Sequence, residues 1–432
     1  MGGTKVDFNK VCVLGMGYIG LPTASTLAMQ GMEVVGVDAN ARVVRILRDG
    51  EIHINEPGLR TLAQAAFNSG RLTIKDEPEE ADAFILAVQT PLRENHQADM
   101  AYVVSAAESI VPFLRSGNLV VLESTSPPRT TMDLLAPILE QSGLTTGEDY
   151  YLAYTPERVL PGQILKELID NARVIGGYDR SSAEAGRDLY LSFVRGEIYL
   201  TDATTAEMVK LMENTARDIS IAVANEFSRL AEHFGLSVWE AIELANLHPR
   251  VNILRPGPGV GGHCISIDPY FLIQAAPEMT GLMQRARTVN DGQPAFVVAR
   301  IERDLQGLSD RRIAALGLAY KADVDDLRNS PAVEVARLLA SKGAKVATFE
   351  PFALEAVPEG CVPAGSLEDA VKDADAVALL VDHRQFRELD PQALASQMPG
   401  REAFDTRGVW SSSVWEQGGF RLHTLGVRAP DA

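Results

Sequence analysis

The stretch "KVCVLGMGYIGLPTASTLAMQGMEVVGVD", residues 10 to 38, decides the fold. An apolar run ends in G-x-G-x-x-G at Gly15, Gly17 and Gly20. A helical segment follows, then a turn at Gly31, a second apolar run and Asp38. Strand, glycine turn, helix, strand and terminal acid, with the acid about 20 residues beyond the glycines, make a dinucleotide-binding half in its proper context. The glycines permit a tight turn and let a pyrophosphate reach the helix N-terminus, where unpaired N–H groups and the dipole favour anions. Asp38 is placed to accept from both ribose hydroxyls and to repel a 2′-phosphate, which predicts NAD rather than NADP. Arg42 is a nearby cation able to meet such a phosphate. Tyr18 and Ile19, inside the glycine turn, belong to the same cofactor surface.

Further strands end in polar turns at "AFILAVQTP" and "LVVLESTSPP". Ligands of open α/β sheets lie beyond the carboxyl ends of the strands, which marks Thr90 and Thr125 as cofactor contacts. "YLAYTPERVLPG" follows, with Glu157 in a proline-flanked turn that reads by itself as solvated. Thr204 to Gly235 then reads as one helix, with a T-x-x-E capping box at Thr204 and Glu207 and a glycine stop at Gly235. Such a helix is about 45 Å long at 1.5 Å per residue, a spine with apolar residues on more than one face and a natural dimer surface. Lys210 and Asn214 lie four apart, on one face of it.

From Arg311 the chain repeats the opening pattern: Leu316-Gly317 matches Leu14-Gly15, and Glu350 matches Asp38. The tight turn is replaced by "GLAYKADVDDLRNSP", whose Lys321 and Arg328 suit a nucleotide diphosphate better than a second NAD. The predicted architecture is α/β. Two Rossmann-like doubly wound domains, 1–203 and 309–432, are joined by a long central helix and a helical middle domain at 204–308 that carries a cysteine loop.

That loop, "GPGVGGHCISIDPYF", is too rich in glycine and proline for core helix or strand, and it presents Cys264 between His263 and Asp268. His263 is placed to favour the thiolate. The other cysteines, Cys12 in the first strand and Cys361, read as structural. Three cysteines with no C-x-x-C pair argue against a disulfide framework or a metal site and fit a reducing, cytoplasmic setting. A net charge of -18 argues against nucleic acid or an anionic membrane as partner. No run approaches the ~20 apolar residues of a membrane span.

With these motifs in hand, the chain resembles the nucleotide-sugar 6-dehydrogenases of the UDP-glucose/GDP-mannose dehydrogenase family over residues 10 to about 425. The motifs are G-x-G-Y-I-G, S-T, P-E-R, E-x-x-K-x-x-x-N, G-G-H-C and G-x-x-Y-K. "PERVLPG", "HPRVNIL" and the cysteine loop are most similar to the branch acting on UDP-N-acetyl-D-mannosamine. The resemblance implies NAD-dependent, four-electron oxidation of a sugar C6 alcohol to an acid for cell-surface polysaccharide synthesis. In it Cys264 is the covalent nucleophile, Lys210 and Asn214 stabilise oxyanions, and Asp268 and Glu157 position or activate water. It also implies that Arg158, Val159, His248, Gly261, Lys321 and Arg328 contact the UDP-N-acetyl-hexosamine. Arg250 would reach the substrate of the neighbouring subunit in a homodimer or higher homo-oligomer. Pro161 stands in the region where glucose-type members carry a second glutamate, so fewer acids are available to activate water. A gluco-configured substrate, a non-catalytic nucleotide-sugar-binding subunit and a two-electron hydroxyacid dehydrogenase remain as alternatives.

Overall fold

The computed structural model describes residues 6–428. Two compact units divide the chain: Met1–Glu213 with Tyr270–Pro277, and Asn214–Pro269 with Glu278–Ala432. Residues 204–308 are shared between these two units.

The first unit is built on eight strands: β1 (Lys10–Leu14), β2 (Glu33–Val37), β3 (Leu72–Lys75), β4 (Ala83–Leu86), β5 (Leu119–Leu122), β6 (Tyr151–Tyr154), β7 (Arg173–Gly177) and β8 (Ile198–Asp202). Their order is β3-β2-β1-β4-β5-β6-β7-β8, and every neighbouring pair is parallel except β6 and β7. Strand β1 is apolar at nearly every position because both of its faces are covered, as a central parallel strand requires. Val11 and Val13 join the core on one side of the sheet, and Cys12 and Leu14 join the core on the other. The order reverses between β1 and β4, the switch point where doubly wound sheets bind ligands.

The second unit carries six parallel strands: β9 (Arg312–Leu316), β10 (Lys345–Phe349), β11 (Val362–Pro363), β12 (Ala376–Leu379), β13 (Glu402–Asp405) and β14 (Arg421–Thr424). They lie in the order β11-β10-β9-β12-β13-β14. The repeat read in the sequence is a repeat of register. Leu14 pairs with Val37 and Leu86 in the first sheet, as Leu316 pairs with Phe349 and Leu379 in the second. Gly15 N–H donates to Val37 O at 2.7 Å, and Gly317 N–H donates to Phe349 O at 2.9 Å.

The long helix spans Ala203–Phe234. Its glycine stop forms as expected: Gly235 has φ +75°, and the N–H of Leu236 reaches back to Ala231 O at 3.0 Å. The capping box does not form. Asp202, two residues upstream of Thr204, accepts from the N–H of Thr205 at 2.9 Å and from its hydroxyl at 2.6 Å. Glu207 is fully buried and turned elsewhere, accepting from Thr131 N–H at 2.7 Å, Thr131 Oγ1 at 2.6 Å and Arg129 N–H at 2.5 Å. Burial pushes its carboxyl up to about 6.

Candidate functional site

In the first unit the three glycines divide the work of the turn. Gly15 has φ +92°, and a Cβ there would lie 2.6 Å from Ala87 O. A Cβ on Gly20 would sit 1.8 Å from Gly15 O, so the helix Gly20–Met29 packs as close to the turn as a bare backbone allows. A Cβ on Gly17 would meet nothing within 4 Å, so the space beside this glycine is open, as the approach of an anion to a helix N-terminus requires. Tyr18 and Ile19 are half-buried beside it. Asp38, half-buried at the end of β2, accepts from Met16 N–H at 2.9 Å and Asn40 N–H at 2.8 Å. A carboxylate has about four acceptor positions, so two remain for a ribose diol. Asp38 thus also ties β2 to the glycine turn. Arg42 is exposed in the first turn of the helix Ala41–Arg48. Thr90 and Thr125 come together at the ends of β4 and β5, Thr90 Oγ1 donating to Thr125 O at 2.8 Å. This constellation fits a bound dinucleotide.

Glu157 is not the solvated turn residue that its flanking prolines suggest. It is buried, its Oε1 accepting from Arg158 N–H at 2.6 Å and its Oε2 lying 3.3 Å from Arg173. The buried Lys210 donates to its carbonyl at 2.6 Å. Arg173 lies over the Tyr190 ring at 4.5 Å and also pairs with Glu123 at 3.4 Å, and the Tyr190 hydroxyl donates to Glu123 at 2.5 Å. Burial pushes Glu123 up to about 7. This charged cluster is not visible in the sequence. Arg158 bonds to Glu213 at 2.9 Å and to Ala172 O, and Val159 packs on the core.

In the second unit Cys264 is half-exposed, and its carbonyl accepts from the N–H groups of Ile267 at 3.0 Å and Asp268 at 2.8 Å, the turn that opens the helix Asp268–Ala275. Asp268 is buried and its carboxylate accepts from Asn214 Nδ2 at 2.5 Å. The other thiols are removed from chemistry: burial pushes Cys12 up to about 12 and Cys361 to about 11. The glycines of the cysteine loop serve close approach to protein. A Cβ on Gly261 would meet Asn329 O at 2.7 Å, and one on Gly262 would meet the Tyr320 ring at 3.0 Å. The loop is also held from behind. Gly257 N–H donates to the buried Asn225 at 3.0 Å, Asn225 to Asn290 at 2.9 Å, and Asn290 to Asp218 at 2.8 Å.

A cavity of about 280 Å³ lies beyond the ends of β9, β12 and β13, bordered by Gly259, Tyr320, Lys321, Asp382, Arg387 and Arg407. Asp382 pairs with Arg387 at 2.6 Å and Arg407 at 3.0 Å. Three cations against one carboxylate suit a diphosphate. Arg387 and Arg407 escape the sequence reading, although both follow strand ends of the second sheet, as Thr90 and Thr125 do in the first. Arg328 is not among the residues bordering the cavity. It is clamped to Asp326 and lies 3.2 Å from His263 Nδ1, beside the cysteine. Burial raises the Asp326 carboxyl, and the Arg328 bonds outweigh it to hold the group below its usual range. His248 and Arg250 are exposed after the helix Val238–Ala245.

Among the described residues, no helix is long and apolar enough to cross a membrane. The UDP-glucose/GDP-mannose dehydrogenase family matches in all three of its parts: the NAD binding domain at residues 9–194, the central domain at 204–292 and the UDP binding domain at 314–412. The chain is 45% identical over 431 residues to a UDP-N-acetyl-D-mannosamine dehydrogenase of Methanococcus maripaludis, covering 97% of each chain. It is 47% identical to an NDP-N-acetyl-D-galactosaminuronic acid dehydrogenase of Ralstonia solanacearum, covering 94% of this chain and 98% of the other. A solved structure of a UDP-D-ManNAc dehydrogenase from Pyrococcus horikoshii superimposes with a TM-score of 0.90 at 41% identity, covering 96% of this chain and 99% of that one. Matched from glycine turn to cation-lined cavity, the chain belongs to the UDP-glucose/GDP-mannose dehydrogenase family and is an NAD-dependent dehydrogenase.

Proposed function

We propose that the protein oxidises the C6 alcohol of UDP-N-acetyl-D-mannosamine to the carboxylate, with Cys264 as covalent nucleophile. The observation that carries this reading is the Asn214–Asp268–Cys264 connection, in which one buried carboxylate is bonded to an amide donor and its own N–H holds the cysteine carbonyl. NAD, when bound along Gly15, Gly17, Gly20 and Asp38, supplies the hydride acceptor for both oxidations. An aldehyde has no hydride to give until something adds to it, and the thiolate of Cys264 adds. Its C–S bond forms as the carbonyl electron pair moves to oxygen, where Lys210 and Asn214 stabilise the oxyanion. Oxidation of that carbon leaves a thioester on Cys264. Water attacks the thioester carbon, its proton passes to Asp268 or Glu157, and the C–S bond breaks to release acid and thiolate. Lys321, Arg387 and Arg407 hold the diphosphate, while Arg158, Val159, His248, Gly261 and Arg328 shape the sugar side.

The segments 1–203, 204–308 and 309–432 take the NAD, spine and UDP roles in this reading. Val223, Phe227, Leu230 and Phe234 are exposed at helical spacing on the long helix, which supports a homodimer in which Arg250 reaches the partner's substrate. The setting is cytoplasmic and the product feeds surface polysaccharide. The Ralstonia relative, at 47% identity, favours a second reading in which the sugar is a galacto epimer. Initial rates on the UDP-linked N-acetyl derivatives of mannosamine, glucosamine and galactosamine decide between them. The manno substrate should give the highest kcat/KM and two NADH per sugar, with no free aldehyde. A ratio of one refutes the cysteine mechanism, and preference for another epimer refutes the substrate.

A further inference from the structure

Glu350 holds in the second sheet the register position that Asp38 holds in the first, yet the two acids are used differently. Asp38 is half-buried and retains acceptor capacity. Glu350 is 2% exposed and fully engaged: Oε2 accepts from Leu318 N–H at 2.7 Å and Ala319 N–H at 2.9 Å, and Oε1 accepts from Phe352 N–H at 3.1 Å. The third group on Oε2 is His383 Nε2, at 3.0 Å. His383 stands four residues past the end of β12, the offset at which Thr90 stands past β4. Its ring is wholly buried between Phe352 and Phe386, with centroids 5.1 and 5.5 Å away.

The tautomer follows from the partners. The N–H of Asp323 donates to His383 Nδ1 at 2.9 Å, so Nδ1 carries the lone pair and the proton sits on Nε2, facing Glu350. Arg384 N–H returns a bond to Asp323 Oδ1 at 3.0 Å. Asp323 needs this hold, because it has φ +59°, in the left-handed region. Burial raises the Glu350 carboxyl, and the bonds from His383 and the amides outweigh it to keep the group below its usual range. Main chain is therefore anchored two residues before Lys321, at Ala319, and two residues after it, at Asp323. Lys321 itself borders the cation-lined cavity.

We infer that His383 is a positioning residue for nucleotide-sugar binding: with Glu350 it closes off the position a dinucleotide ribose would use in this half and fixes Lys321 toward the diphosphate. This rests on the reading of that cavity as the diphosphate site. The step that matters is the bond from Asp323 N–H to Nδ1, and the two amide replacements separate it from the bond to Glu350. Asparagine places an acceptor near Nδ1, whereas glutamine places its amide near Nε2.

The test is titration of the full chain with UDP, together with steady-state kinetics. His383→Gln should raise the UDP Kd and the KM for the UDP-sugar about tenfold, the loss of roughly one hydrogen bond. The KM for NAD and kcat should stay within about twofold, since neither depends on this bond. His383→Asn should recover most of the UDP affinity. Lys321→Met is the control on the underlying reading and should weaken UDP at least as much as His383→Gln. If Lys321→Met binds UDP normally, the diphosphate reading of the cavity fails. If Lys321→Met loses UDP but His383→Gln does not, the reading stands and the role of His383 is refuted. Equal losses in NAD and UDP-sugar KM for both amide variants, or loss of the thermal transition in both, would make His383 merely structural and also overturn the proposal.

Discussion

Two glycines three residues apart in the opening turn should respond to alanine in opposite ways. At Gly17 a Cβ meets no atom within 4 Å, and the backbone is outside the left-handed region, so Gly17→Ala should fold normally and gain up to about 1 kcal/mol from a stiffer unfolded chain. Its methyl, however, would fill the space through which phosphate oxygens reach the backbone N–H groups. Two lost hydrogen bonds to a charged group, at about 1.5 to 3 kcal/mol each, weaken NAD by roughly 10² to 10⁴. At Gly20 the same methyl would lie 1.8 Å from Gly15 O, an overlap that only movement of the helix relieves. Gly20→Ala should therefore lose about 3 kcal/mol or more of stability before cofactor enters the question. Thermal unfolding without ligand and NADH fluorescence titration of both variants separate the effects. If Gly17→Ala binds NAD within threefold of the unmodified chain, the open space is not the pyrophosphate's approach. If Gly20→Ala melts like the parent, the close packing is not required.

Cys264→Ser should abolish acid formation while leaving NAD and UDP-sugar binding intact, because a serine hydroxyl ionises far less readily than a thiol of pKa about 8.5. Mass spectrometry of the parent enzyme under limiting NAD should find the sugar adduct on the Cys264 peptide, and an adduct on Cys12 or Cys361 refutes the assignment. Glu123→Gln should change how stability depends on pH. Glu123 is pushed up to about 7 by burial from an ordinary 4.5, so the folded chain binds the extra proton between those values and stability falls as pH rises from about 4.5 to 7. The fall amounts to at most about 3 kcal/mol at 1.36 kcal/mol per unit, and glutamine, which cannot ionise, should remove it. Tm-against-pH curves that run parallel for parent and variant would show that Glu123 carries no such strain.

What is legible in the sequence is what backbone periodicity and local chemistry fix. The turn at Gly15–Gly20, the apolar strands covered on both faces, the stop at Gly235 and the recurrence of the Leu14-Gly15 pattern at Leu316-Gly317 are each written in residues close together in the chain. What escapes depends on partners distant in the chain. Thr204 and Glu207 carry the letters of a capping box, but Asp202 is the stronger acceptor for the helix start, and Thr131 and Arg129 offer Glu207 three donors from 76 and 78 residues away. Glu157 reads as solvated because its partner Arg173 arrives from the start of β7. Arg328, paired with Lys321 in the sequence as a diphosphate cation, is claimed by Asp326 two residues before it, and Arg387 and Arg407 border the cavity instead.

Distant partners also let one architecture serve two ligands in one chain. Both halves end their second strand in an acid, and both bond that acid to the main chain of the turn after the first strand. The difference lies in what approaches from the switch-point neighbour. In the first half that neighbour contributes Thr90, whose hydroxyl bonds to Thr125 O, and Asp38 is half-buried. In the second it contributes His383, whose ring covers Glu350 and holds a loop long enough to carry Lys321. In the proposed reading, exchanging an open acid for a covered one turns the acid from a ribose acceptor into a loop anchor. On that reading, ligand choice passes to the cations that border the cavity, Lys321, Arg387 and Arg407.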